Sequence, residues 1–366
     1  MSSSEWLRVI LALTLFIVYL GKRYDWLGKM RERKEEQQAK EAKAKQQADL
    51  KERRRQERQR QEDVKSQTSE ILRRGLGLLA QKSTQAAGQE IWYLEGGIGP
   101  DAPSVLLLHG FAGDKENWSQ VGQQLVGAGF HVVAPDLPGF GQNAVHPDLG
   151  YDITSQAKRI RALIQKLKLG RCHLVGHSIG GSIAAAVCYA APEGAASLTL
   201  VEPFGVRVPY ESELDKLLAN DRNPMVIANP TAYNNLLDFV FHQRPDMPAA
   251  LKKHRAEQAA QHRVFYLKVW KQTHDGERAH LLDLLLPEVK VRTLVLQGAE
   301  SKVVHPATPR VIQAMMNDAR QVLLEGCGHF PMVEQPQQTG EHLLDFLRTV
   351  PPPASLSAAN TTGPAS

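Results

Sequence analysis

Cysteine is scarce in this chain: Cys172, Cys188 and Cys327 are the three present in 366 residues. Three thiols cannot all pair within one chain, which excludes a disulfide framework and favours a reducing compartment. Each lies in apolar or glycine-rich sequence and reads as a small buried hydrophobe. Cysteine and histidine nowhere fall at metal-ligand spacing, so neither a metal nor another cofactor is expected. Charge of one sign is also missing from most of the chain. Residues 29–65 carry 14 Lys and Arg against 9 Asp and Glu, an excess that equals the whole formal net charge of +5. The basic character therefore belongs to one segment and says nothing about the rest.

Long apolar runs are missing too. The stretch from Trp6 to Leu20 is broken only by Arg8, but its fifteen residues would span about 22 Å as a helix, short of a hydrocarbon core of roughly 30 Å. Tilt, the preceding serines and snorkelling of Arg8 make a single span feasible, with Trp6, Tyr19, Tyr24 and Trp26 at the interfaces. Lys22 and Arg23 follow the run instead of preceding it, which does not fit a cleaved signal peptide. Residues 1–27 are therefore expected to form a membrane anchor, with everything downstream on the cytoplasmic side. Residues 28–74 are built from strong helix formers but lack an apolar heptad, so a charged helical stalk or linker is expected. It has no aromatic interleaving, and lipid headgroups suit it better as a partner than nucleic acid does. Residues 351–366 read as a disordered tail.

Against these absences stands Gly176-His177-Ser178-Ile179-Gly180-Gly181, which directly follows the apolar run Cys172-His173-Leu174-Val175. It reads as a buried strand turning sharply into a small-residue helix, the G-x-S-x-G pattern of a nucleophile elbow. A serine on a strained strand-to-helix turn needs neighbours without Cβ atoms, because strand and helix backbones pass close together there. The helix that begins at the serine also aims free N–H groups at the site. Glycines 75, 77 and 88 mark the transition into the folded domain, taken as 75–350, whose first strand is expected over Ile91–Leu94. Apolar runs near 105–108, 131–134, 172–175, 198–201, 294–296 and 322–324 alternate with helical segments such as 115–128 and 153–168. Buried strands separated by helices predict an α/β fold with a mostly parallel sheet covered on both faces.

The ordered motifs HGFAGDKENW, PDLPGFG, GHSIGG and GCGHF resemble the α/β-hydrolase superfamily, and more narrowly its monoacylglycerol-lipase-like and carboxylesterase-like members. The resemblance covers about 89–349 and implies the α/β-hydrolase fold. It also implies that the segment at about 203–291, too long for an ordinary connection, is a helical cap over the site. Apolar residues at 236–241 and 264–270 would give that cap a lipophilic surface suited to an acyl chain.

Ser178 needs a base, and among thirteen histidines His329 stands out. It follows the last strand at the carboxyl edge of the sheet, in the chain order this family uses. His177 is expected to point away from the nucleophile, and His109 to make a structural hydrogen bond. The resemblance implies an oxyanion hole from the backbone N–H groups of Phe111 and Ile179. For the acid the chain departs from the pattern: Gly298-Ala299-Glu300-Ser301 has serine where the family commonly has aspartate. Glu202 at the end of the preceding strand, Glu300, or no acid at all remain open. The expected function is a membrane-anchored serine hydrolase of lipophilic carboxylic esters such as monoacylglycerols. A non-catalytic protein on this fold and a C–C or amide hydrolase are the alternatives.

Overall fold

The computed structural model describes residues 77–97, 99 and 102–351, preceded by scattered helical positions at 16, 19, 21–24, 30, 51, 52 and 55. The expected anchor, stalk and tail lie almost wholly outside the described residues. Among the described residues no helix is long and apolar enough to cross a membrane. The chain divides into two units, Met1–Ser66 and Gln67–Ser366, and the second carries the fold.

Its eight strands are β1 (Ala80–Ala86), β2 (Gln89–Gly96), β3 (Ser104–Leu108), β4 (His131–Pro135), β5 (Cys172–His177), β6 (Ala195–Val201), β7 (Thr293–Gly298) and β8 (Ala319–Leu324). They form one sheet in the order β1-β2-β4-β3-β5-β6-β7-β8. The β1–β2 and β2–β4 pairs are antiparallel and all others parallel. The first strand therefore lies earlier than the expected one. β1, with the sequence AQKSTQA and its side chains mostly exposed, offers no apolar pattern to read.

Alternation along the central strands builds two cores. Leu106, Leu108, Leu174, Leu198 and Leu200 face one side, with Ile160 of α2 (Ile153–Leu167) and Ile183 of α3 (Ile179–Ala190). Val105, Leu107, Val175, Leu294 and Leu296 face the other, with Leu125 of α1 (Ser119–Gly127) and Leu343. Period-two alternation sends successive side chains to opposite faces, so each strand serves both layers.

Between β6 and β7 the chain forms the cap helices α4 (Glu213–Leu218), α5 (Tyr233–Val240), α6 (Ala249–Gln261), α7 (Arg263–His274) and α8 (Leu281–Leu285). The fold then closes through α9 (Thr308–Met315), α10 (Pro331–Glu334) and α11 (Pro336–Leu347). The loops that end β3, β5, β6, β7 and β8 meet at one edge of the sheet, beneath the cap.

Candidate active site

Ser178 sits between β5 and α3 at φ 52°, ψ −121°, a conformation that L-residues avoid. The turn holds it there: its own N–H donates to Val201 O at 2.9 Å, and Gly181 N–H donates to Ser178 O at 2.9 Å. Glycine is required on both sides. A Cβ on Gly176 would come within 2.2 Å of Gly180 O, and one on Gly180 within 2.4 Å of His109 O. The Ser178 hydroxyl makes no hydrogen bond to another described residue and the residue is buried, so the side chain is sheltered but uncommitted.

The HGFAG loop after β3 passes directly over this turn. Leu137 N–H donates to His109 Nε2 at 2.8 Å, so the ring proton sits on Nδ1, which lies 2.8 Å from Gly110 O. That bond and Gly113 N–H donating to Gly110 O at 3.2 Å shape the loop, with Ala112 at φ 52°. Gly110 is pressed against the elbow: a Cβ there would lie 2.5 Å from His177 Nδ1 and 3.0 Å from Ser178 Cβ. The N–H groups of Phe111 and Ile179 make no hydrogen bond to other described residues, so both donors remain free. Asp136 belongs to the framework. It accepts from Lys115 N–H at 2.8 Å, Lys115 Nζ at 2.9 Å and Gln142 N–H at 2.9 Å.

His329 and Glu202 come together. His329 Nδ1 lies 3.0 Å from Glu202 Oε2, both side chains being closed off from solvent. The same carboxylate accepts from Gly298 N–H at 2.6 Å and from the Ser301 hydroxyl at 2.7 Å. Burial raises the Glu202 carboxyl well above the usual carboxylate range, while the Ser301 and Gly298 donors pull it back. Three donors converge on two oxygens with no acceptor opposite, so the proton of the pair belongs on His329 Nδ1 and leaves Nε2 bare. Burial lowers the imidazole to about 3, so the ring is neutral at rest. Glu300 is turned elsewhere: its Oε2 accepts from Cys327 N–H at 2.9 Å, and its own N–H donates to Cys327 O at 3.0 Å. It braces the histidine loop from behind.

Two supports of His329 were not legible in the motifs. His177 does not point away from the site as expected. Its ring centroid lies 4.7 Å from that of His329, and its Nε2 donates to His329 O at 2.7 Å. Burial, followed by the neighbouring His329, lowers His177 well below the usual histidine range, which keeps it a neutral donor. Glu334 accepts from Gly328 N–H at 3.0 Å with one oxygen and from His242 and Gln243 N–H at 2.8 and 3.0 Å with the other. His329 N–H donates to Val240 O at 2.8 Å, a second tie to the end of α5. A glutamate five residues beyond a candidate base gives no signal of this in sequence.

A cavity of about 270 Å³ opens between the oxyanion-side loop and the cap. Phe111, Leu237, Val240, Phe241, Tyr266 and Phe330 supply much of its apolar wall. Of the apolar residues expected to roof the site, Phe265 and Val269 instead pack in the core, and Val264 is exposed. No group of three or more potential metal ligands occurs among the described residues.

Comparison with known proteins gives this arrangement a context. Residues 105–341, more than half of the chain, match the Alpha/beta hydrolase family. Lipase 1 of Psychrobacter immobilis is 29% identical over 270 residues, covering 72% of this chain and 82% of that protein. The monoacylglycerol lipase ABHD6 of Mus musculus is 26% identical over 287 residues, covering 76% and 85%. Among solved structures, a membrane phospholipase A described as a bacterial virulence factor superposes with a TM-score of 0.75 at 36% identity, covering 78% of this chain and 92% of that one.

Proposed function

We propose, for a chain that belongs to the alpha/beta hydrolase family and acts as a lipid ester hydrolase, that Ser178, His329 and Glu202 form its catalytic triad and that monoacylglycerols are among its substrates. The observation that carries the reading is His329, held through Nδ1 by Glu202 at 3.0 Å, at the sheet edge that displays the strained Ser178. Ser178 Oγ attacks the ester carbonyl carbon while His329 Nε2 takes its proton. The Phe111 and Ile179 N–H groups receive the oxyanion, and Glu202 steadies the imidazolium. Collapse breaks the ester C–O bond, and the alcohol leaves with the proton from His329. Water, deprotonated by the same nitrogen, then attacks the acyl-enzyme and releases the carboxylic acid with Ser178 restored.

The apolar cavity next to Phe111 and Phe330 supports a lipophilic acyl group, and the Glu202 position supports a triad whose acid directly follows β6. Membrane association belongs to the same reading. The apolar run 6–20 followed by Lys22, Arg23 and the basic segment fits a chain held at a membrane with its folded part on the basic side. A fluorophosphonate probe tests the chemistry. Covalent labelling of folded wild-type protein, abolished by Ser178→Ala, is the expected result. Folded protein that does not label at Ser178 would be a non-catalytic member of the family.

A further inference from the structure

The imidazole of His177 is wedged between the segments that supply the groups of the site. The residue itself is joined covalently to Ser178. One end of the ring faces the loop that carries Phe111, where a Cβ on Gly110 would lie 2.5 Å from Nδ1 and 3.0 Å from Cε1. The other end reaches the histidine loop, with Nε2 donating to His329 O at 2.7 Å. The ring centroid stands 4.7 Å from that of His329 and 4.7 Å from that of Phe330. His177 is buried and does not line the cavity beneath the cap.

The two nitrogens of this ring are unequally served. A carbonyl can only accept, so the proton sits on Nε2 and leaves Nδ1 a bare acceptor. Nδ1 is shut off from solvent and has no hydrogen-bond partner. An enclosed nitrogen without a donor costs stability. A phenyl ring would fill the same space without that cost, so packing alone does not account for an imidazole here. What the imidazole adds is the Nε2 donor.

We propose that His177 is a positioning residue for the reaction, its Nε2–H holding the His329 carbonyl and thereby setting where the base stands relative to Ser178. His329 is then fixed at three points: its N–H on Val240 O, its Nδ1 on Glu202 and its carbonyl on His177. The third tie leads in one step to the residue that precedes the nucleophile, and Gly110 backs the ring from behind. A lysine or arginine could donate to the same carbonyl, but its charge would oppose the imidazolium that forms on His329. Burial and then the neighbouring His329 keep His177 neutral. The inference rests on the reading of Ser178 and His329 as nucleophile and base.

Two substitutions separate the donor from the ring. His177→Gln keeps an N–H donor near the reach of Nε2 and loses the ring, whereas His177→Phe keeps a ring and loses the donor. The test measures kcat and KM for a p-nitrophenyl ester on full-length wild type and both variants, with urea midpoints for the same samples. Both proton transfers pass through His329, so kcat reports its placement whichever step is slower. His177→Phe is expected to lower kcat by about 10-fold or more, the scale of a lost hydrogen bond and a misplaced base, with KM within about twofold of wild type. His177→Gln is expected to keep kcat within about threefold of wild type, even where its urea midpoint falls. A kcat that followed the ring instead of the donor would overturn the inference. So would equal losses in both variants, a loss confined to KM, or wild-type kcat in His177→Phe. Should His177→Phe not fold, His177→Gln decides alone: kcat near wild type upholds the inference, and kcat below about a tenth of it overturns the inference. A wild type that neither hydrolyses the ester nor labels with a fluorophosphonate would instead remove the hydrolase reading beneath it.

Discussion

Replacing Glu202 by glutamine changes one oxygen into an amide nitrogen at the point where three donors meet. Gly298 N–H points at Oε1 from 2.6 Å, while the Ser301 hydroxyl and His329 Nδ1 share Oε2. If the new NH2 takes the Oε1 position, it faces the Gly298 N–H, donor against donor. If it takes the Oε2 position, Ser301 can rotate to accept, but His329 Nδ1 must then accept as well. The ring proton would move to Nε2, the nitrogen that has to receive the Ser178 proton. Either arrangement also loses the negative charge that stabilises imidazolium. We expect Glu202→Gln to lower kcat by about a thousandfold, or roughly 4 kcal/mol of activation free energy. One mismatched buried donor should cost about 1–3 kcal/mol of stability. Glu300→Gln keeps an oxygen for the Cys327 N–H, so kcat within about threefold of wild type is expected for the loss of a charge alone. Steady-state hydrolysis of a p-nitrophenyl ester, with urea denaturation of the same samples, measures both. A Glu202→Gln enzyme retaining more than a tenth of wild-type kcat, beside a crippled Glu300→Gln, would refute the reasoning.

Two further outcomes follow from the site and from the N-terminal sequence. Burial lowers His329 to about 3, so the free enzyme keeps its base unprotonated through the usual histidine range. The acid limb of kcat/KM against pH should therefore fall clearly below pH 6.5, and a limb centred at 6.5 would show that the base ionises as an ordinary histidine. The full-length chain should stay in the pellet when membranes are washed with alkaline carbonate, and a chain lacking residues 1–27 should be released. Equal release of both would place the anchoring elsewhere.

Much of this was legible in sequence, for reasons tied to particular residues. The elbow shows itself because Gly176 and Gly180 occupy places where a Cβ would meet backbone, a constraint that leaves its mark in the residue types. The parallel sheet shows itself because strands buried on both faces are continuous apolar runs. The acid is different. β6 and β7 are neighbours in the sheet, so their carboxyl ends reach the same place, and a carboxylate after either strand is compatible with the spacing. What separates Glu202 from Glu300 is direction. Glu202 turns inward at φ 50°, whereas Glu300 turns toward the Cys327 amide. Ser301 also becomes intelligible. Its hydroxyl donates to Glu202 at 2.7 Å, and an aspartate there would set a second carboxylate against the first in a dry site. The serine is the counterpart of the glutamate that follows β6. β1 stayed hidden because its hydrogen bonds to β2 are made by backbone, under side chains that carry no pattern.

Glu334 ties the end of α5 and the His329 loop to one carboxylate, and His329 itself is bonded to Val240. The cap and the base thus share a hinge post. Lifting α5 would unseat the histidine, so the roof can open without disarming the site only by swinging from that post. On the other side the cap is tied down by the Arg255–Asp114 ion pair and by Lys268 and Gln272 of α7, which bond the loop before α2.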